Sequence, residues 1–236
     1  IHDVSFNSSL EISEHQTVAL GADIAVDIYR DNVLRATTNP ANVNKESTRQ
    51  GYYANYQLIG GDWDFVLGSR LDATNSYGAN FDPSVGLGYH LPFWQSVARF
   101  NLARAFNAPS LVDRYLTSGS LVANPDLKAE KAIAYNAGLE SAPLDWLHIK
   151  GVYFQTFIED SIETIVRSDG LRQPVNYDRE RRSGFETETK LGPWRGWSAS
   201  YGNTYVRAIA PSGPVQGRPL LTHDVKLNFA KEFCGF

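Results

Sequence analysis

"TVALGADIAVDIYR", residues 17–30, is the stretch whose pattern decides the fold. One set of alternate positions holds Val18, Leu20, Ala22, Ile24, Val26 and Ile28; the other holds Thr17, Ala19, Gly21, Asp23, Ala25 and Asp27. A repeat of two places successive side chains on opposite faces of a strand, so this segment has one apolar face and one small or charged face. The same division appears at 63–73, where Trp63, Phe65, Leu67 and Leu71 oppose Asp64, Gly68, Arg70 and Asp72. It returns at 221–231, with Leu221, Val225, Leu227 and Phe229 set against Thr222, Asp224, Lys226 and Asn228. No sustained 3.6-residue apolar stripe interrupts these segments, and the chain reads as all β.

Extending this reading predicts eleven strands, near 3–12, 17–30, 48–58, 63–73, 83–90, 96–106, 130–140, 146–158, 182–191, 196–207 and 221–231. Many approach the roughly 9–11 residues that a tilted strand needs to cross a bilayer. Their connections alternate in length. Short ones fall at 13–16, 59–62, 91–95, 141–145 and 192–195; long ones fall at 31–47, 74–82, 107–129, 159–181 and 208–220. In an antiparallel up-and-down meander this places every short turn at one rim and every long loop at the other, the layout of a transmembrane β-barrel. Trp63, Trp94, Trp146, Trp194 and Trp197 all lie in or within two residues of a short turn, as an interfacial girdle requires. Tyr29, Tyr52, Tyr77 and Tyr177 lie in or near long connections. A soluble sandwich is the alternative. The polar row Glu186, Glu188 and Lys190 suits a wet lumen or a solvated surface equally, so the loop and tryptophan patterns decide for the barrel.

Composition narrows the function. The 236 residues carry a net charge of −4 with acids and bases intermixed, which excludes a basic face tracking nucleic-acid phosphates. The absence of Met suggests a processed chain or an excised piece. No signal peptide opens the sequence, and no apolar run approaches the roughly 20 residues of a membrane helix. That hydropathy test is blind to barrels. The single cysteine, Cys234, has no partner for an internal disulfide. His2, His15, His90, His148 and His223 are scattered without metal-ligand spacing, and no nucleophile-elbow pattern is present. Neither a metal site, a cofactor nor an enzyme is expected.

Two segments, "ARAFNAPSLVDRY" and "NPDLKAEKAIAYNAGLE", point to a known family. Phe106, Ala108, Pro109 and Ser110, followed by Asn124, Pro125, Leu127 and Glu130, resemble the signature region of TonB-dependent outer-membrane receptors. Asn107 stands where that family usually has a basic residue, and Ala129 where Pro commonly precedes the Glu. Stretches 52–74, 81–91, 153–163, 175–189 and 217–230 are similar to other family segments in order and spacing.

The resemblance implies a bacterial outer-membrane receptor with a barrel of about 22 strands around an N-terminal plug. Residues 1–236 would then be a later part of the barrel, since eleven strands leave an unpaired edge and no room for a plug. The expected function is TonB-energised uptake of a bulky ligand. Haem receptors of the family tend to carry a His between the two signature segments; residues 107–124 have none, leaving a ferric siderophore or a corrinoid. The partners implied are outer-membrane lipid, the TonB energy-coupling complex and that ligand. Tyr115 and Tyr177, with Arg167 and Arg172, are candidate ligand contacts, although the acids of 159–181 make a solvated mixed-charge hairpin the simpler reading of that loop. A passive porin-like channel without a plug would share the loop asymmetry and the girdle.

Overall fold

A computed structural model describes residues 2–31, 43–194, 196–210, 213–214 and 220–229. They form one antiparallel meander: β1 (His2–Ser13), β2 (Gln16–Asp31), β3 (Val43–Gly60), β4 (Trp63–Thr74), β5 (Gly78–Leu91), β6 (Ser96–Asn107), β7 (Glu130–Leu144), β8 (Leu147–Val166), β9 (Arg172–Trp194), β10 (Trp197–Ala210), a two-residue β11 (Gly213–Pro214) and β12 (Leu220–Phe229). Each strand pairs with the next in sequence as far as β10, which then pairs with both β11 and β12. All eleven expected strands are present. Among the described residues the sheet does not close: β1 pairs only with β2, and β12 only with β10.

Register keeps the two faces separate along the whole meander. Leu20 faces Ala54, which faces Ser69, while Phe65 faces Leu87 and Leu87 faces Phe100. One surface therefore collects Val4, Phe6, Leu10, Leu20, Ile24, Phe65, Leu67, Phe100, Leu139 and Tyr153, all exposed. Among the described residues the buried apolar ones are few: Leu127, Ala129, Ile158, Ala208 and Ala210, gathered at the long-loop end. A water-soluble domain does the reverse, because apolar area left in water forfeits about 25 cal/mol per Å². This outer surface is built for an apolar solvent. No described helix is long and apolar enough to cross a membrane, which says nothing about a strand barrel.

The long connections differ from expectation. β8 and β9 continue well past 158 and begin well before 182, so 159–181 is mostly ladder with a turn at 167–171. The connection 74–82 shrinks in the same way to a turn at 75–77. The middle of 31–47 and most of 208–220 lie outside the described residues, as does Cys234. Where strands rise above an apolar layer neither face needs to be apolar, so pairing persists after the alternation that reveals it has faded. Only 108–129 is a long described loop, and it carries a short helix, α1 (Leu111–Tyr115).

Candidate functional site

The signature segments meet at the long-loop rim. β6 stops at Asn107 because Pro109, which is buried, has no N–H to give to a ladder. Ser110 then caps α1: its Oγ accepts from Asp113 N at 3.0 Å and donates to Asp113 Oδ2 at 2.7 Å. The loop returns through Asn124, whose amide donates to the Pro174 carbonyl at 3.0 Å and whose Oδ1 accepts from Asp126 N at 3.1 Å. The Pro125 carbonyl accepts from Arg114 at 3.4 Å. Leu127 is 3% exposed, and its carbonyl accepts from the Tyr77 hydroxyl at 2.9 Å.

Glu130 closes the loop at its base. Its Oε2 accepts from Asn107 Nδ2 at 2.7 Å, across the last registered pair of β6 and β7. Its Oε1 accepts from the backbone N–H of Ile162 at 2.7 Å. That N–H is presented two residues after Asp160, whose φ of 54° lies in the left-handed region that Asp tolerates better than most residues. Asn176 completes the seam, donating to the carbonyls of Asp160 and Lys128 and accepting from Lys128 N at 2.8 Å. Further along, Val122 N donates to Arg172 O at 2.8 Å and Arg172 N to Ser120 O at 2.6 Å. The loop is thus sewn to the β8–β9 hairpin by backbone and side-chain bonds together.

Two polar groups flank the seam. Ser161 and Glu180 are buried; Ser161 Oγ donates to Glu180 Oε2 at 2.9 Å, and Arg182 grips the same carboxylate at 2.7 and 3.0 Å. On the other side, Arg114 lies 5.3 Å from the Tyr77 ring centroid and 5.0 Å from that of Tyr115, and Lys45 lies 5.2 Å from Tyr115. Phe106 meets Tyr77 edge-on at 6.5 Å. Burial pushes the Tyr77 phenol above its ordinary value, although the Arg114 charge works against it.

The four candidate contacts fall in two places. Tyr115 sits in the cationic–aromatic cluster, while Arg167, Arg172 and Tyr177 ride on the β8–β9 hairpin, with Arg167 held by Asp169 at 3.1 Å. Of these four, among the described residues, only Arg172 bonds the loop that carries Tyr115, and it does so through its backbone. The sequence assigns no role to Lys45, Arg114 or Asn176, and Glu180 reads there only as one acid of a solvated hairpin; Arg114 stands in the first signature segment, Asn176 and Glu180 in the 175–189 stretch, and Lys45 outside both. Among the described residues no cluster of His, Cys, Asp and Glu could hold a metal ion.

At the opposite rim, the structure brings all five tryptophans to the short-turn ends: Trp63 opens β4, Trp94 and Trp146 lie in turns, Trp194 closes β9 and Trp197 opens β10. Each is at least 48% exposed. Trp63 packs against Tyr89 with ring centroids 4.5 Å apart and planes tilted by 39°.

Comparison with known proteins gives a consistent result. The family model described as TonB dependent receptor-like, beta-barrel, matches residues 2–230. No curated protein sequence matches the chain. Similar solved structures include the siderophore receptor PirA from Pseudomonas aeruginosa, 20% identical over 87% of this chain and 39% of that one, with a TM-score of 0.71. The FrpB iron transporter from Neisseria meningitidis is 17% identical over 90% of this chain and 36% of its own, at 0.68. A mutant of the ferric enterobactin receptor PfeA from Pseudomonas aeruginosa is 19% identical, covering 86% and 35%, also at 0.68. The chain spans less than two-fifths of the length of each of these structures.

Proposed function

The chain belongs to the TonB-dependent receptor β-barrel family, whose members are outer-membrane β-barrels, and on that premise we propose that it forms part of the wall and loops of a receptor taking up a ferric siderophore across the bacterial outer membrane. Residues 1–236 are on this reading a contiguous piece of a larger barrel domain. The plug and the segment that engages TonB belong to the remainder. The Trp63, Trp94, Trp146, Trp194 and Trp197 rim is the interfacial girdle on the periplasmic side, and the 108–129 loop faces outward from the cell.

The observation that carries the reading is the sewn loop. A passive pore gains nothing from fixing a 22-residue excursion through Glu130, Asn124 and Asn176 to a neighbouring hairpin. A receptor does, because a preformed binding surface loses less entropy when a ligand docks. Tyr115, Arg167, Arg172 and Tyr177 remain the proposed contacts, with Tyr77, Lys45 and Arg114 beside Tyr115. An anionic, aromatic-rich ferric chelate suits cations stacked on rings better than a corrinoid does.

The test is uptake of radiolabelled iron as a ferric siderophore by iron-starved cells that have the parent gene or lack it, each with and without a functional TonB. Uptake that needs both supports the reading. Uptake of equal rate without TonB would mark a passive channel, and TonB-dependent uptake of cobalamin but not iron would make the cargo a corrinoid.

A further inference from the structure

The outward face of β7–β10 changes character at its long-loop end. Register fixes three adjacent rows there. The lowest runs Tyr135, Gln155, Ser183, Arg207; the next Ile133, Phe157, Arg181, Ile209; the highest Lys131, Glu159, Arg179. Lys131, Arg179, Arg181 and Arg207 are all exposed, and none has an ion pair or side-chain hydrogen bond among the described residues. Glu159 is the one carboxylate in these rows. On β2 and β3 the corresponding level carries Arg30 and Glu46, one of each sign, so the imbalance is local.

Depth places these cations. Thirteen residues separate Trp194 from Arg181, roughly 43 Å along a strand at about 3.3 Å each. A tilt of about 45° turns that into roughly 30 Å of depth, against an apolar band of about 25 Å. Ten residues from Trp197, Arg207 stands at the edge of that band, and Arg179, fifteen residues from Trp194, stands about 10 Å above it. Arg181 and Arg207 are diagonal neighbours across β9 and β10, about 7–8 Å apart at Cα. Arg179 is two residues from Arg181 on the same face. Three guanidinium forks therefore run from the edge of the apolar band up into the layer of the outer leaflet's head groups, with Phe157 and Ile209 in the row of Arg181 to meet acyl chains.

We propose that Arg179, Arg181 and Arg207, flanked by Lys131, bind the phosphate-bearing head group of a lipid against the outside of the barrel. The proposal rests on the membrane-barrel reading above. Guanidinium pairs with phosphate oxygens through two parallel N–H···O bonds, and on an outward face the partner comes from the bilayer. Charge complementarity selects the lipid: three arginines and a lysine against one carboxylate leave a positive patch that a zwitterionic head group does not neutralise.

The test uses the full-length polypeptide that carries this chain, folded in zwitterionic micelles and titrated with dioctanoyl phosphatidic acid while its thermal unfolding midpoint is followed. The midpoint should rise with phosphatidic acid and not with dioctanoyl phosphatidylcholine. The half-effect concentration should rise about fivefold in Arg207→Gln and on the order of 100-fold when Arg179, Arg181 and Arg207 are all replaced by Gln, from about fivefold per cation near an anionic lipid. A triple variant that titrates like the wild type overturns the proposal, as does inorganic phosphate reproducing the shift, or an equal loss of response in Lys150→Gln/Lys190→Gln on the inner face. If the triple variant is unstable without lipid, Arg179→Gln and Arg207→Gln singly decide by the same criterion. A wild-type chain that stays soluble without micelles overturns the barrel reading itself, a different outcome from a folded barrel indifferent to phosphatidic acid.

Discussion

Replacing Glu130 by Ala should free the 108–129 loop without unfolding the sheet. The carboxylate accepts two short hydrogen bonds, from Ile162 N and Asn107 Nδ2, both at 2.7 Å. Bonds to a charged acceptor contribute about 1.5–3 kcal/mol each. Asn107 is exposed and can turn to water, so its bond counts for little. The Ile162 N–H is part-buried and loses its acceptor outright. The expected loss is about 2–3 kcal/mol in the stability of the closed loop, a roughly 30- to 150-fold rise in its open population. Hydrogen exchange should register it: the amides of Val122, Ile162 and Arg172, each bonded within the seam, should exchange faster by that factor, while those of β2–β5 are unchanged. Glu130→Gln keeps one acceptor oxygen and should fall between. Glu188→Ala, on the same inner face but away from the seam, should do nothing. Unchanged exchange at Ile162 and Val122 in Glu130→Ala would refute the reasoning, because the bonds would then hold no loop closed.

Gln155 faces outward, and its Oε1 accepts from the hydroxyls of Tyr135 at 2.9 Å and Tyr153 at 2.8 Å; Gln155→Leu should strand both in an apolar layer and lower the barrel's unfolding midpoint, at a cost of about 1–3 kcal/mol per hydroxyl. At Gly184 an added Cβ would collide with the Tyr205 backbone carbonyl and the Phe154 ring, so Gly184→Ala should cost about 1–3 kcal/mol, read as earlier loss of the compact form on heating in a gel. The Tyr77 phenol keeps its proton longer than in an unfolded chain. Stability from Tyr77 is therefore complete below the ordinary value of about 10 and declines as pH rises toward the folded value, so Tyr77→Phe should remove a tyrosinate absorbance component that titrates above the ordinary tyrosine range.

What the sequence disclosed, and what it withheld, follows from the range of the interactions. The two faces of β2 and β4 were legible because alternation is a property of neighbouring residues, and an apolar solvent on one side enforces it. The tryptophan rim was legible for the same reason: each Trp lies next to its own turn. Residues 159–166 and 172–181 read as loop because, above the apolar layer, Glu163, Arg179 and Glu180 no longer have to alternate with apolar residues, although the ladder continues beneath them. The seam was invisible for a different reason. Asn124 finds Pro174, Lys128 finds Asn176 and Tyr77 finds Leu127 across 48 to 50 residues, and nothing local distinguishes a clasping Asn from a solvated one. The signature motif marked one side of the clasp, Glu130 and Asn124; on the hairpin, Ile162 and Asn176 fall inside family-like stretches, but nothing local singles them out as partners.

The inner wall adds a reason why this barrel suits bulky contents. Gly21, Gly51, Gly86 and Gly88 lie on the inward face of β2–β5, and a Cβ at each would meet a polar side chain from an adjacent strand: Tyr53, Arg70, Asn101 and Asp64 respectively. Each of these long groups lies down along the sheet over a glycine. They are fixed there by polar neighbours, Tyr53 by Asn7, Arg70 by Asp72 at 2.8 Å and by Asp23, Asn101 by Asn136 at 2.9 Å and Asp64 by His90 at 3.0 Å. A narrow diffusion channel works in the opposite way, with side chains projecting inward to constrict and select. Laying the side chains flat keeps the lumen wide while the wall stays polar and hydrogen-bonded. Replacing Gly51 by Val would test this directly: Arg70 would be lifted off the wall, away from Asp23 and Asp72, so the inner surface would gain a projecting, unpaired cation. In the full-length receptor reconstituted in a planar bilayer with its lumen emptied by denaturant, that change should lower cation conductance, and unaltered conductance would mean that Arg70 already stands in the lumen.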